Sequence, residues 1–404
     1  MERPTPRALA AGLISLLAVA ATSLVAGPAS AATGTAEPCA LPRTDAHHSL
    51  GLDDWNGAYP RPDRALDAVM VFLSFPDSRP LTTPAELAAD YFPATTRFFQ
   101  RASYGKFTLR PHPERRWIRM PRPSSAYGIQ RDWADDRRSA YLRDAIDAAN
   151  PRVDFSRYDI VYLVADPDAP GVDSDATKVV NFDRPLRADG TDIRRVVTVF
   201  EHHPPDHNVL AHETGHVFDL PDLYHRPSDG KGDWDTYVGD WDVMGSQFGL
   251  APDLFGWHKW KLGWLDDRQV VCVQSSRVLT LEPMSSVPVR GASMGTRLAV
   301  IRTGEGTAVG IEARSATGND GTTCSEGVLL YRIRNETPSG GGPVDVLDTH
   351  PGTDACWDRS VYPPLADAPL RVGETYSVPG GHATVEVADR TPSGAWTVRI
   401  TTGT

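Results

Sequence analysis

The chain has 404 residues, 40% of them apolar, and a net charge of −11. Nothing in it resembles a basic stripe, which argues against nucleic acid as a partner. Only the N-terminal residues form an apolar run of membrane-spanning length, and its setting is that of a cleaved leader rather than an anchor.

Residues 1–31 read as a signal peptide. Arg3 and Arg7 supply a positive start, Ala8 to Ala26 is apolar, and Ala29-Ser30-Ala31 offers an A-x-A cleavage site after the helix-breaking Gly27-Pro28. The mature protein is therefore expected to be secreted and extracellular, with no membrane partner and as a monomer. The remaining chain of about 370 residues is too long for one compact core and suggests two domains. Cys39, Cys272, Cys324 and Cys356 form an even set in an exported chain, so two disulfides are expected, with three connectivities open. Cys324 and Cys356 both fall in a β-rich stretch, which suggests pairing them and leaves Cys39 with Cys272 as a long-range staple. None has C-x-x-C spacing, so cysteine-ligated zinc is not expected.

Residues 32–64 contain scattered Pro, Asp and Gly and read as an irregular N-terminal segment or short pro-region. Asp67 to Phe75 is apolar enough for a buried strand. Thr83-Pro84-Ala85-Glu86 is a capping box with proline at the first helical position; it opens a helix toward Ser103 that Pro93 should kink or break. Asp136 to Ala149 reads as an amphipathic helix stopped by Asn150-Pro151, and Asp159 to Ala165 and Val196 to Phe200 as further strands. Strands alternating with helices predict a mixed sheet backed by helices.

The chemistry concentrates in His212-Glu213-Thr214-Gly215-His216. Two histidines four apart on a helix lie about 40° apart around its axis, one turn above each other, so both imidazoles can reach one metal ion. Glu213, beside the first histidine, is placed to take a proton from a metal-bound water, the H-E-x-x-H arrangement of zinc peptidases. A catalytic zinc site needs a third protein ligand. No glutamate occurs from Gly215 to Leu281, which disfavours a glutamate on a following helix. Pro221 should end the helix near residue 219 or 220 and turn the chain, bringing Asp222 or His225 back to the metal. The histidine-rich run from Glu201 to His207 contains Pro204-Pro205 and reads as a loop.

The run from His212 to Tyr224 (HETGHVFDLPDLY), followed by Val238-Gly239-Asp240-Trp241-Asp242-Val243-Met244-Gly245, resembles the secreted zinc metallopeptidases of the immune inhibitor A family, which are metzincin-like. Further similarity lies in Ser103-Tyr104-Gly105-Lys106-Phe107, in Val153 to Asp159, in Trp257 to Leu265 and in Gly327 to Tyr331, so that the likeness spans roughly residues 65 to 335. The resemblance implies His212, His216 and Asp222 as zinc ligands, Glu213 as general base and Met244 as the methionine of a turn beneath the metal. At one position this chain has Asp219 where the family has glycine. Aspartate is among the few residues that tolerate a positive φ, so the turn should survive, yet Asp219 is then a second carboxylate near the metal. Tyr224 and Tyr237 are both open as the second electrophile.

Two aspartate-rich loops raise structural Ca²⁺ as a secondary expectation: Asp166, Asp168, Asp173 and Asp175 in one, Asp229, Asp233, Asp235, Asp240 and Asp242 in the other. Past Leu265 short alternating segments (278–281, 298–303, 328–333, 383–387, 396–400) are separated by turn residues and read as β-rich structure. The expected plan is α+β: a zinc metallopeptidase domain over 65–335 with an active-site helix, then a β-rich module over 336–404. The expected activity is zinc-dependent hydrolysis of protein or peptide substrates. A zinc amidase acting on cell-wall peptides, or a secreted binding protein that keeps the fold without turnover, are the alternatives.

Overall fold

A computed structural model describes residues 38–206, 208–228, 231–287 and 295–403. The signal peptide expected at 1–31 lies outside the described residues, as does Asp229 of the second aspartate-rich loop. Among the described residues no helix is long and apolar enough to cross a membrane.

The first half of the fold is a six-stranded mixed sheet. Strand β1 (Ala65–Ser74) pairs in parallel with β2 (Thr108–Pro113), β3 (Ile118–Arg119) and β4 (Ile160–Ala165); β4 pairs in parallel with β6 (Thr191–Val199). Strand β5 (Lys178–Ala188) runs antiparallel to β6 and forms one edge. Parallel strands covered on both faces are apolar where they are covered, and β1 is so from Ala68 to Leu73: Leu66, Ala68, Met70 and Phe72 face one core, Val69, Val71 and Leu73 the other. Helix α1 (Pro84–Tyr91) starts with the expected capping box at Thr83 and Glu86. Pro93 then separates it from α2 (Ala94–Ala102). These two helices cover the first face, while the short α3 (Ser124–Tyr127) and α4 (Asp135–Ala149) cover the second.

Helix α5 (Val209–Val217) carries the His-Glu-His group on the first face, and α6 (Gly256–Lys261) follows it. Beyond α6 the chain is β-structure. A five-stranded sheet has the order β12-β11-β10-β9-β7, from β7 (Val270–Cys272), β9 (Leu298–Arg302), β10 (Thr307–Arg314), β11 (Gly327–Arg334) and β12 (Val344–Val346). A four-stranded sheet joins β13 (Thr375–Val378), β14 (Ala383–Arg390) and β15 (Trp396–Thr402) to β8 (Arg277–Leu281). Residues 336–404 do not stand apart from what precedes them: β12 pairs with β11, and β15 pairs with β8. The reason is visible in β11, whose residues alternate between two cores. Leu329, Tyr331 and Ile333 join the core that holds α5; Val328 and Leu330 face the core shared with β14 and β15.

Both disulfides take the expected pairing, Cys39 with Cys272 and Cys324 with Cys356, at Cα separations of 5.4 and 6.1 Å. Residues 38–64 contain neither helix nor strand, yet Leu41 and Leu50 are buried in the core that holds α5.

Candidate metal centre

Every residue of α5 is buried. Tyr162 of β4 anchors the helix to the sheet through its hydroxyl, 2.8 Å from Thr214 Oγ1. The helix closes before Pro221 acts. Leu220 N–H donates to Gly215 O (3.2 Å), Asp219 N–H donates to His216 O (3.1 Å), and Asp219 has φ +62°. Those two bonds around a left-handed residue make a Schellman motif. Aspartate therefore supplies the turn, as expected of it where the resembled family has glycine, and the reversal brings Asp222 back to the helix.

His212 Nε2 lies 3.2 Å and His216 Nε2 3.0 Å from Asp222 Oδ1. The three ligand atoms lie within 4.8 Å of one another, and no other such group of three or more His, Cys, Asp or Glu residues occurs among the described residues. Each imidazole is oriented by a carbonyl, which can only accept: His212 Nδ1–H donates to Val243 O and His216 Nδ1–H to Leu220 O, both at 2.8 Å. Both Nε2 atoms thus face Asp222 Oδ1 and are the atoms left to bind a metal ion. Asp222 is held in turn by Ser339, whose Oγ–H donates to Oδ2 (3.0 Å) and accepts the Asp222 N–H (2.8 Å).

The electrostatics call for a cation at this point. Burial disfavours charge on His216, but Asp222 and Glu213 overcome it and push the imidazole up to about 9. His212 moves up as well: burial opposes the charge, and Asp222 and Glu213 outweigh burial and the neighbouring His216. Burial alone would raise Asp222; the two imidazoles hold it well below the usual carboxylate range. A site that gathers protons so strongly suits a divalent ion that would displace them. Two nitrogens and one carboxylate oxygen are donors that zinc accepts. His212, His216 and Asp222 therefore fit the expected metal.

Glu213 stands beside this group. Its Oε2 is buried and has no hydrogen-bond partner. Burial raises its carboxyl, with His212 and His216 acting the other way. Met244 packs against α5 at Gly215, where an added Cβ would run into its sulfur. The Met244 turn is pinned by Asp242, which accepts N–H groups from Met244 and Phe255 (both 2.8 Å) and Nδ1–H from His258 of α6 (2.9 Å).

Asp219 is not among the gathered donors. Its carboxylate accepts from His48 Nδ1–H (3.0 Å) and Arg43 (3.1 Å) and lies 3.4 Å from Lys261 Nζ, which also donates to the Asp219 carbonyl. His48 stacks on His216 with centroids 5.5 Å apart. His225 points to Tyr237 rather than to the metal group. The structure also separates the two tyrosines. Tyr224 lies parallel to the His212 ring (6.5 Å, 7°) and lines the cleft, whereas Tyr237 packs beneath Arg334 and Gly342.

The aspartate-rich loops use their carboxylates locally. Asp166 accepts from Ser78, Asp168 from Leu81 N–H, Asp173 and Asp233 cap short 3-10 turns, and Asp240 accepts from Leu250 N–H and Ser360. Neither loop gathers three carboxylates around one point among the described residues.

Sequence reasoning missed Ser339, Arg43, His48 and Lys261, which converge from distant segments, and strand β5. That strand did leave a signal. Asp189-Gly190, with φ +50° and +71°, joins β5 to β6 as a two-residue hairpin, a turn that Asp-Gly between apolar runs announces.

No protein-family model and no curated protein matches the chain. Among solved structures it is similar to OgpA from Akkermansia muciniphila. The wild-type crystal structure aligns at 11% identity over 73% of this chain and 94% of that one, with a TM-score of 0.30. A catalytically inactive OgpA in complex with an O-glycopeptide substrate, glycodrosocin, aligns at 10% identity over 83% and 90%, with a TM-score of 0.28. At that level of likeness the site has to be read from its own geometry.

Proposed function

We propose that this chain is a secreted zinc endopeptidase of the immune inhibitor A kind. The observation that carries the reading is Glu213: a buried carboxylate oxygen without a partner, one residue from a histidine of a three-donor group. A binding protein gains nothing from such a group, whereas a hydrolase needs it as a general base. His212, His216 and Asp222 would hold the ion. Zinc, when bound, brings a coordinated water's pKa to near 7 and polarises a carbonyl oxygen.

The rest of the work falls to side chains of this chain. Glu213 takes a proton at Oε2 and can return it to the leaving amine; burial, which raises its carboxyl, suits it to both steps. Val243 and Leu220 hold the two imidazoles in one tautomer, and Ser339 holds Asp222. Tyr224, on the cleft wall, is the better placed tyrosine to donate to a developing oxyanion. The edge strand β5 supports an extended substrate: Lys178, Val179 and Asn181 line the same cavity as His212 and His216, and among the described residues β5 pairs only with β6. A peptide could add there as a further strand. Secretion is supported by the leader-like N-terminus and by two disulfides, which persist in oxidising compartments.

The test is metal analysis with a casein assay, before and after chelation, beside purified peptidoglycan. One zinc per chain, with casein cleavage lost on chelation and restored by zinc, is the expected result. Cleavage of peptidoglycan alone would move the assignment to an amidase. Glu213→Gln should keep the metal and lose about 10²-fold or more in kcat; wild-type casein cleavage by this variant overturns the mechanism.

A further inference from the structure

Beside the metal group, between α5 and the segment that follows Met244, lies a cavity of about 290 Å³. His212 and Glu213 are among its lining residues, so it adjoins the candidate centre. Its charge is one-sided. Arg131 is matched by Asp175 at 2.9 Å, which leaves Glu201, Asp206 and Asp235 along the wall together with Glu213.

Glu201 is the informative member. It is 8% exposed, and burial, Asp206 and Glu213 all push its carboxyl up. Its hydrogen bonds are to neutral groups, the Thr177 hydroxyl and the Asp206 N–H. Crowded buried carboxylates of this kind are stabilised by a cation. Glu213 also lines the cavity but is taken by its role as general base, which leaves Glu201 as the buried acceptor for a basic side chain. The lining also includes two apolar side chains, buried Val209 and half-exposed Phe248, against which a stem can pack. A long stem ending in a positive head matches that pattern, since lysine and arginine bury their methylenes and present charge at the tip.

We propose that this cavity is a specificity subsite for a lysine or arginine side chain at a position flanking the cleaved bond, with Glu201 as its charge partner. The proposal rests on the peptidase reading of the adjoining centre. An acidic subsite rejects acidic side chains as strongly as it accepts basic ones, through like charge in a partly desolvated space.

Two measurements test it. In the first, zinc-loaded protein digests a denatured protein mixture and the cut sites are mapped by mass spectrometry. Lysine and arginine should be enriched, and aspartate and glutamate depleted, at one flanking position. For matched peptides with arginine or norleucine there, Glu201→Gln should lower the arginine-to-norleucine ratio of kcat/KM by about tenfold or more. The exposed Asp206→Asn, which puts no buried group at risk, should lower it in the same direction. The second measurement needs no turnover: binding of N-acetyl-arginine methylamide to metal-free protein, followed by saturation-transfer NMR against the norleucine analogue. Selective arginine binding that Glu201→Gln abolishes supports the subsite even if no peptide or casein is cleaved, an outcome that would end the peptidase reading alone. Cleavage without enrichment of basic residues, or a ratio unchanged in both variants, overturns the subsite and leaves the peptidase standing.

Discussion

Asp219 and Asp222 are three residues apart and do opposite work. Asp222 meets both imidazoles, while Asp219 is buried among Arg43, His48 and Lys261. Asp222→Ala should therefore lower zinc affinity far more than Asp219→Asn in a metal-competition titration, asparagine being able to keep the positive φ. Asp219→Asn should instead cost stability, by about 3–5 kcal/mol if Lys261 stays charged and buried, read by denaturant unfolding. A larger loss of zinc at 219 than at 222 would reverse the assignment. His48 makes a separate pH prediction. Burial is the largest influence on it and brings it down to about 4, although Asp219 pulls the other way. Between the ordinary value of about 6.5 and that folded value, the unfolded chain binds a proton that the folded chain refuses. Its contribution is thus intact above about pH 6.5 and falls as pH drops toward 4, by roughly 3 kcal/mol in all. The wild-type minus His48→Gln difference in stability across that window measures it, and a flat difference would refute it.

Helix α5 shows what could be read from sequence and what could not. The spacing of His212 and His216, the base between them and the turn after them are local facts, legible because helix geometry converts spacing into direction. Pro221 predicts a helix end near residue 219 or 220; the helix closes at Val217, because left-handed Asp219 completes the capping bonds before proline is reached. Strands such as β1 and β4 were legible from unbroken apolar runs, whereas β5 was not, since as a partly exposed edge it has no such run. Long-range partners left no local trace at all: Ser339 is 117 residues from Asp222, and His48 is 171 from Asp219. Within the helix, Gly215 gives the sharpest test. An added Cβ would run into Met244 Sδ, so Gly215→Ala should gain helix propensity yet displace Met244 from its place against the helix. We expect a net destabilisation of about 1–3 kcal/mol and weaker zinc binding. A variant with raised Tm and unchanged zinc affinity would show that the sulfur yields freely.

At the scale of the molecule, the metal centre belongs to a core that draws on both halves of the chain. Residues 38–64 lie against α6 and the turn after α5: Lys261 Nζ donates to Ser49 O, Trp257 Nε1 to Leu50 O and Trp264 Nε1 to Pro62 O. The Cys39–Cys272 bridge fastens that segment across 233 residues. Replacing both cysteines by alanine should lower stability by about 2–5 kcal/mol, read as a fall in Tm under reversible conditions. An unchanged Tm would mean that side-chain packing alone holds the segment. The same arrangement has a consequence in time. His48 leaves the ribosome long before Asp219, and Asp222 long before Ser339, so the earliest-made parts of the centre wait for the latest. Contacts of such separation are slow to form. A chain still being made, or released before residue 339, carries the two histidines, Glu213 and Asp222 without the serine that braces Asp222. The proposed centre is thereby complete only once residue 339 has been made.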